Sequence, residues 1–242
     1  MAKIYLSPAV HEHDRECVYD AGCSENTHAN RYLDELEVFL DAHVIAHRRH
    51  AADDKGASGV ARAVKQSNDY GPDLHYVVHT NAYDGSIRGS RPQIYEGSKK
   101  VRAFAEAILN YRRRIYPYPC AIFERTDLTE LKGTRAPCVY EELVFHDNRE
   151  DCAWLHANLR KLAEYTCRAL CEVFGIPFRN PYQGDVNGDG RVDASDALMA
   201  LQDSVDLIHL NEEQRDRADM DGNGKVNAQD ALAMLNKSVG RE

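Results

Sequence analysis

A chain of 242 residues with 39 acidic and 30 basic side chains, formal net charge −9, has room for one medium domain and one small one. The charge is uneven: residues from Asp185 onward hold 13 acidic and 6 basic side chains, whereas residues 1–184 hold 26 and 24 and are nearly neutral. Neither part has the basic excess that binding to nucleic acid or an anionic membrane requires, and no stretch approaches the ~18 apolar residues of a membrane span.

In chain order, the opening MAKIYLSPAV lacks the apolar core of a secretory leader, and Lys3 to Leu6 reads as a short buried strand entering a Ser-Pro break. From Glu25 to about Leu40, Tyr32, Leu33, Leu36, Val38, Phe39 and Leu40 make the apolar side of a helix, with acids and Arg31 opposite. After a Gly-Pro turn at 71 and 72, Leu74 to Val78 is an apolar run ending at His79. Ser98 to about Arg113 is a second amphipathic helix, Cys138 to Val144 is strand-like, and Asp151 to Phe174 is a long helix stopped by Gly175 and Pro177. Strands alternating with helices predict an α/β domain of three layers with a largely parallel central sheet, where active groups gather at strand ends.

All seven cysteines, Cys17, Cys23, Cys120, Cys138, Cys152, Cys167 and Cys171, lie in this front region. An odd count without regular spacing argues against a disulfide scaffold, and neither a C-x-x-C pair nor a cysteine knuckle suggests a zinc ribbon. The plain reading is buried small hydrophobes in a protein from a reducing or anaerobic setting.

Four segments, SPAVHEHD, GCSEN, YVVHTNAYDG and YEELVFHDN, carry groups able to bind a metal or move a proton. A hydrolytic zinc site takes about three nitrogen and oxygen ligands and keeps one position open for water. A further carboxylate must accept the proton of that water and return it to the leaving amine. The order is a strand, a His, a Glu about fourteen residues on that opens a helix, then His-x-Asn-Ala, then Glu-x-x-Phe-x-x-Asn. Over roughly residues 3–175 this resembles the zinc-dependent N-acetylmuramoyl-L-alanine amidases of the amidase_3 family. The resemblance implies His11, Glu25 and His79 as ligands of one Zn²⁺ and Glu142 as the catalytic base. The family usually has Gly-His-Gly-Gly after its first strand, where this chain has Val10-His11-Glu12-His13, so His13 competes with the preferred His11. Glu141 competes with Glu142, and the Glu-x-x-Phe spacing to Phe145 favours Glu142.

Other polar groups have plainer readings. His43, His47 and His50 could present two imidazoles on one helix face, but no HExxH glutamate lies between them, and a packed or solvated basic segment explains them. Asn81 and Asn148 suit orienting backbone or substrate, and Arg88 is a candidate for a peptide carboxylate.

The tail repeats a twelve-residue pattern. Asp185, Asn187, Asp189, Asp193 and Asp196 place side-chain oxygens at positions 1, 3, 5, 9 and 12, with the Arg191 carbonyl at position 7. In the second copy, 34 residues on, they are Asp219, Asp221, Asn223, Asn227 and Asp230, with the Lys225 carbonyl. Gly190 and Gly224 occupy position 6, where the chain must turn sharply around a Ca²⁺ that takes six to eight oxygens. Position 12 is Asp, where an EF-hand sensor carries a longer Glu, and each loop runs directly into one apolar-striped helix. About residues 184–242 therefore resemble a type I dockerin, which implies two Ca²⁺ and a cohesin module of a scaffoldin as partner. Positions 10 and 11, which help choose the cohesin in that family, are Ala194 and Ser195 in one copy and Ala228 and Gln229 in the other.

Together these features predict an amidase-like domain over 1–176, a linker over 177–183 and a small all-α calcium-binding dockerin over 184–242. The resemblances imply hydrolysis of the amide between N-acetylmuramic acid and L-alanine in peptidoglycan. They also imply an extracellular or cell-surface location, reached with a leader since removed. A zinc peptidase or deacylase acting on another amide, and a non-catalytic wall-binding domain, are the alternative readings.

Overall fold

The computed structural model describes residues 1–10, 17–19 and 22–241, and the chain divides into two compact units, Met1–Phe178 and Arg179–Glu242. The first unit is built on six strands: β1 (Lys3–Pro8), β2 (Ala46–Arg49), β3 (Leu74–Asn81), β4 (Arg91–Tyr95), β5 (Phe123–Arg125) and β6 (Cys138–Phe145). Their order is β2-β1-β3-β6-β4-β5. The first four in that order run parallel, β4 pairs antiparallel with β6, and β5 runs parallel to β4, so the sheet is mixed with a parallel majority. β1, β3 and β6 are buried along almost their whole length, as parallel strands are when helices cover both faces.

Helix α1 (Glu25–Ala42) starts where Ser24 caps it, its hydroxyl accepting from the Thr27 amide at 3.2 Å, and Glu25 sits in the first turn, where the helix dipole favours an acid. The expected apolar stripe is inside: Tyr32, Leu33, Leu36, Phe39 and Leu40 are buried, while Val38 stays exposed. α2 (Gly56–Tyr70), α3 (Lys99–Arg112) and the short α4 (Thr129–Gly133) follow. α5 (Arg149–Phe174) is capped by Asn148, which accepts from the amides of Glu150 and Asp151, and it stops at Gly175 with φ 66, a left-handed turn that glycine adopts without a Cβ clash. β2, α2, β4, β5 and α4 were not marked by the sequence. β2 and β5 form the two edges of the sheet, and Ala-His-Arg-Arg, Arg-Pro-Gln-Ile-Tyr and Phe-Glu-Arg lack the apolar alternation that betrays a strand.

Side chains of a strand alternate between faces, and this divides the polar core. On one face Glu141 forms an ion pair with Arg112 at 3.0 Å and accepts from Tyr76 Oη at 2.8 Å, and Tyr32 links Tyr76 to Thr166 on α5. On the other, Val77, Cys138 and Tyr140 pack with Leu131 of α4.

In the second unit, α6 (Ala194–Ser204), α7 (Glu212–Ala218) and α8 (Ala228–Ser238) enclose a small core of Val186, Ala197, Ala200, Leu210, Ala218, Ala231 and Met234. α7, a seven-residue helix begun by an Asn211 capping box, was not separated from its loops by the sequence. Among the described residues no helix is long and apolar enough to cross a membrane.

Because Arg112 and Glu141 are both fully buried, Arg112→Met should leave an uncompensated carboxylate and lower stability by about 3–5 kcal/mol. Arg112→Met combined with Glu141→Gln should recover much of that loss in thermal or denaturant unfolding; a double variant no more stable than the single one would contradict this account of the pair.

Candidate active site and calcium loops

The parallel strands β1, β3 and β6 end on the same edge of the sheet, and the catalytic candidates gather there. His79 and Glu142 are register partners on neighbouring strands, three residues inside the end of β6. The N-terminus of α1 brings Glu25 to the same edge: its Oε1 lies 2.9 Å from His79 Nδ1 and accepts the Thr80 amide at 3.0 Å. Both residues are nearly buried, and the His79 ring lies over Tyr140, ring centres 4.4 Å apart, which fixes the imidazole plane. His146, after β6, faces the Thr80 hydroxyl at 2.9 Å and steadies the turn that carries these groups.

Glu142 is held by one weak donor. Gln93 on β4 donates to its Oε1 at 3.3 Å, and its Oε2 is enclosed with no hydrogen-bond partner. Burial, with the negative charge of Glu25 added, pushes its carboxyl well above the ordinary range, against the opposing pull of Arg125 and Arg91. Beside it opens a cleft of about 400 Å³ lined by Asn81, Ala82, Tyr83, Ile87, Arg91, Gln93, Phe123, Arg125 and Phe145. Arg91, Gln93 and Arg125 were missed by the sequence reading because they stand on β4 and β5, strands without a pattern. Arg91 lies over the rings of Phe123 and Phe145 at 5.0 and 4.6 Å, so its charge is held at the cleft wall.

The remaining candidates separate. His11, and its competitor His13, lie outside the described residues. Glu141 points to the opposite face of the sheet and is occupied by Arg112. Asn81 accepts from the Ala82 amide at 2.8 Å, and Asn148 caps α5 and donates to the Gly85 carbonyl at 2.8 Å. Arg88 pairs with Glu150 and lies over Tyr118, and so is engaged within the fold. His43, His47 and His50 do not share a helix: His43 is the C-cap of α1, His47 is on β2 and His50 follows that strand. The chain changes from helix to strand between them, which the histidine spacing could not reveal. Two of the cysteines also depart from expectation, since Cys17 is bonded to Cys152, whereas Cys23, Cys138, Cys167 and Cys171 are buried and form no disulfide.

In the second unit the loop carboxylates bind their own backbones. Asp185 accepts from the amides of Gly188 and Gly190, and Asp196 accepts from Val186, Asn187 and Asp193. Asn187 accepts from Asp189, Asp189 from Arg191, and Asp193 caps α6. The second loop repeats this: Asp219 accepts from Asn223 and Gly224, Asp221 from Asn223, Asn223 from Lys225, and Asp230 from Met220 and Asn227, while Asn227 caps α8. Gly190 and Gly224 have φ of 86 and 81, as position 6 of such a loop requires. Asp219, Asp221 and Asp230 bring carboxylate oxygens within 4.8 Å of one another. Ala194, Ser195, Ala228 and Gln229 are exposed at the helix starts. Leu198, Leu201 and Val205 on one side, and Leu232, Leu235 and Val239 on the other, are exposed at positions 34 residues apart.

Comparison with known proteins agrees with both halves of this description. Residues 4–172 match the family model of N-acetylmuramoyl-L-alanine amidase, and residues 183–238 match that of the dockerin type I domain. Among solved structures, the CwlD amidase from Clostridioides difficile, in complex with the GerS lipoprotein, is 14% identical, with 72% of this chain and 99% of that one covered and a TM-score of 0.65. The catalytic domain of CwlV, an N-acetylmuramoyl-L-alanine amidase from Bacillus (Paenibacillus) polymyxa var. colistinus, is 15% identical over 73% of this chain and 100% of that one, TM-score 0.65. The amidase AmiC2 of Nostoc punctiforme is 15% identical over 72% and 97%, TM-score 0.63. No curated protein matches the sequence. At these identities the solved structures speak for the fold, and the family model, which spans most of the chain, speaks for descent: the chain is an enzyme of the N-acetylmuramoyl-L-alanine amidase family, with a dockerin type I domain following its amidase region.

Proposed function

We propose that the first unit cleaves the amide joining N-acetylmuramic acid to L-alanine in peptidoglycan, with a zinc ion held by Glu25, His79 and His11. The observation that carries this reading is Glu142, a half-buried residue whose Oε2 is enclosed and unpartnered, standing in register beside a histidine that already touches a second carboxylate. The donor set suits zinc, which takes imidazole nitrogen and carboxylate oxygen, and the proximity of Glu25 and Glu142 is a charge problem that a cation relieves. When bound, the metal supplies Lewis acidity at the amide carbonyl and lowers the pKa of a coordinated water.

The chain's own residues do the rest. Glu25 is fixed by the Thr80 amide and His79 by the face of Tyr140, so both are oriented before any ligand arrives. Gln93 anchors Oε1 of Glu142, leaving Oε2 to accept a proton from the attacking water and deliver it to the departing amide nitrogen. Arg91 on the wall of the neighbouring cleft supplies positive charge suited to a carboxylate of a stem peptide, while Arg125 on the same wall is paired with Asp127.

The second unit is an anchor in this reading. Two Ca²⁺ ions occupy the loops beginning at Asp185 and Asp219, and the exposed apolar faces of α6 and α8, with Ala194, Ser195, Ala228 and Gln229, dock a cohesin module. The faces repeat in Leu198 and Leu232 but differ at Ser195 and Gln229, so the two docking modes are not equivalent. We assign residues 1–176 to the catalytic domain, 177–183 to a linker and 184–242 to the dockerin; Phe178, inside that linker, lies against Phe39 and His43 of the first unit. Attachment to a scaffold and a wall substrate together place the protein outside the cell or on its surface.

Glu142→Gln keeps size and hydrogen-bonding reach but cannot take the proton, so release of free stem peptide from purified murein should fall by at least ~10² while zinc content holds. His79→Ala should lose turnover together with the zinc held at Glu25, because the remaining ligands make a poor zinc site. An active Glu142→Gln enzyme would overturn the assignment of the base, and intact murein with rapid cleavage of another amide would overturn the substrate.

Removing calcium should unfold the second unit selectively, since binding free energy is there folding free energy. In circular dichroism the isolated segment 184–242 should gain helix on adding Ca²⁺; full helicity in chelator would contradict it. Deleting 184–242 should leave hydrolysis of soluble murein fragments intact and abolish retention on a cohesin column, and a truncated chain still retained would show that the anchor lies elsewhere.

A further inference from the structure

Four classical metal ligands that the proposed chemistry does not use converge beside α1. Cys17, His28, Cys152 and His156 each place a ligand atom within 4.8 Å of the other three. They come from three parts of the fold: the segment ahead of α1, one turn into α1, and the first turns of α5. Cys17, His28 and Cys152 are buried and His156 is half-buried at the rim. The two imidazoles meet edge to face, Nε2 to Nε2 at 2.8 Å, and His28 Nδ1 is enclosed without a hydrogen-bond partner.

We propose that these four side chains form a second metal site, a Cys₂His₂ centre for one structural Zn²⁺, distinct from the site at Glu25 and His79. Two thiolates and two imidazoles are the ligand set that tetrahedral zinc prefers. Zn–S and Zn–N bonds of about 2.3 and 2.0 Å give tetrahedral edges of about 3.3–3.8 Å, which ligand atoms already within 4.8 Å reach by small side-chain rotations. Charge also fits. A dication on two thiolates and two neutral imidazoles is neutral overall, so the complex avoids the cost of burying a net charge.

The sulfur pair can instead bond to itself, as Cys17 and Cys152 do here. A disulfide uses only the sulfurs and leaves two histidine rings facing each other; a metal uses all four groups. A thiol reductant would supply the two electrons and two protons that open the bond, becoming oxidised itself. Zn²⁺ would then displace the two protons to solvent as both thiolates coordinate. Of the remaining cysteines, Cys167 and Cys171 form no disulfide but share a thiol hydrogen bond at 3.9 Å, and their neighbour His43 already faces the Phe39 carbonyl at 2.6 Å, so that trio offers a poorer site. Occupied, the Cys₂His₂ centre would tie the segment ahead of α1 to α5, one helical turn from Glu25.

Cobalt substitution tests this on the full chain, prepared without oxygen in a phosphine reductant. Co²⁺ on thiolate gives a near-ultraviolet charge-transfer band that carboxylate, imidazole and calcium-loop oxygens do not give. We expect the band in the parent chain, in His79→Ala and in Cys120→Ser, its loss in Cys152→Ser, and its weakening in His156→Ala, whose half-buried side chain can be removed with the fold intact by circular dichroism. Zinc should bleach it, and metal analysis should fall from two zinc per chain to one in either Cys152→Ser or His79→Ala. A parent chain with both thiols free and no band overturns the proposal, as does a band that survives Cys152→Ser. A band lost in Cys23→Ser but kept in Cys17→Ser would overturn the ligand assignment.

Discussion

The alternation of side chains along β6, locked in parallel register to β3, is the constraint on which the candidate active site depends. Two consecutive glutamates occupy the strand, and period-two geometry sends them to opposite faces. Glu141 enters the layer of α1, α3 and α5 and is neutralised by Arg112; Glu142 arrives beside His79. A slip of one residue would exchange them, putting a paired, inert carboxylate at the site and an unpaired one in the core.

The buried acids show how differently one group can be treated. Glu130 accepts from Ser7 Oγ at 2.5 Å and faces His75 at 3.2 Å; burial alone would raise its carboxyl, yet these partners hold it below the ordinary range. Asp151 accepts from Tyr116 Oη at 2.6 Å and the Phe145 amide at 2.9 Å, which ties α5 to the end of β6, although its burial still raises it. These groups hold the strand ends in place. Glu142, with a single weak donor on one oxygen and the other oxygen enclosed, is less satisfied than either, and an enclosed carboxylate oxygen without a donor is costly enough that function is the natural reason for it.

The second unit works by repetition instead of enclosure. Each aspartate at position 12 holds two or three loop amides with one carboxylate, which ties the start of the loop to the helix that follows it. The two helices then bury three alanines, Ala197, Ala200 and Ala231, with Met234, and leave their leucines outside. A row of leucines and valines left exposed on both helices is what a surface built for a partner carries.

The sequence by itself determined the parts whose physics is local. Twelve-residue loops with fixed oxygen spacing, helices with capped starts and apolar stripes, and buried strands rich in branched residues all carry their signal within one segment, and the amidase and dockerin motifs sit on those segments. It also preferred Glu142 to Glu141 from the spacing to Phe145, and only the fold shows that the two stand on opposite faces of the sheet. Edge strands β2 and β5, antiparallel β4 and the polar helix α2 were illegible, because an edge or half-exposed element needs no apolar alternation and takes its stability from neighbours. Only the tertiary structure decided that Arg91, Gln93 and Arg125 wall the cleft, that Arg88 is spent on Glu150, and that Cys17, His28, Cys152 and His156 meet. The last four span 139 residues between the first and the last, and convergence over such a distance is fixed by how α1 and α5 pack on one face of the sheet, which no short-range pattern encodes.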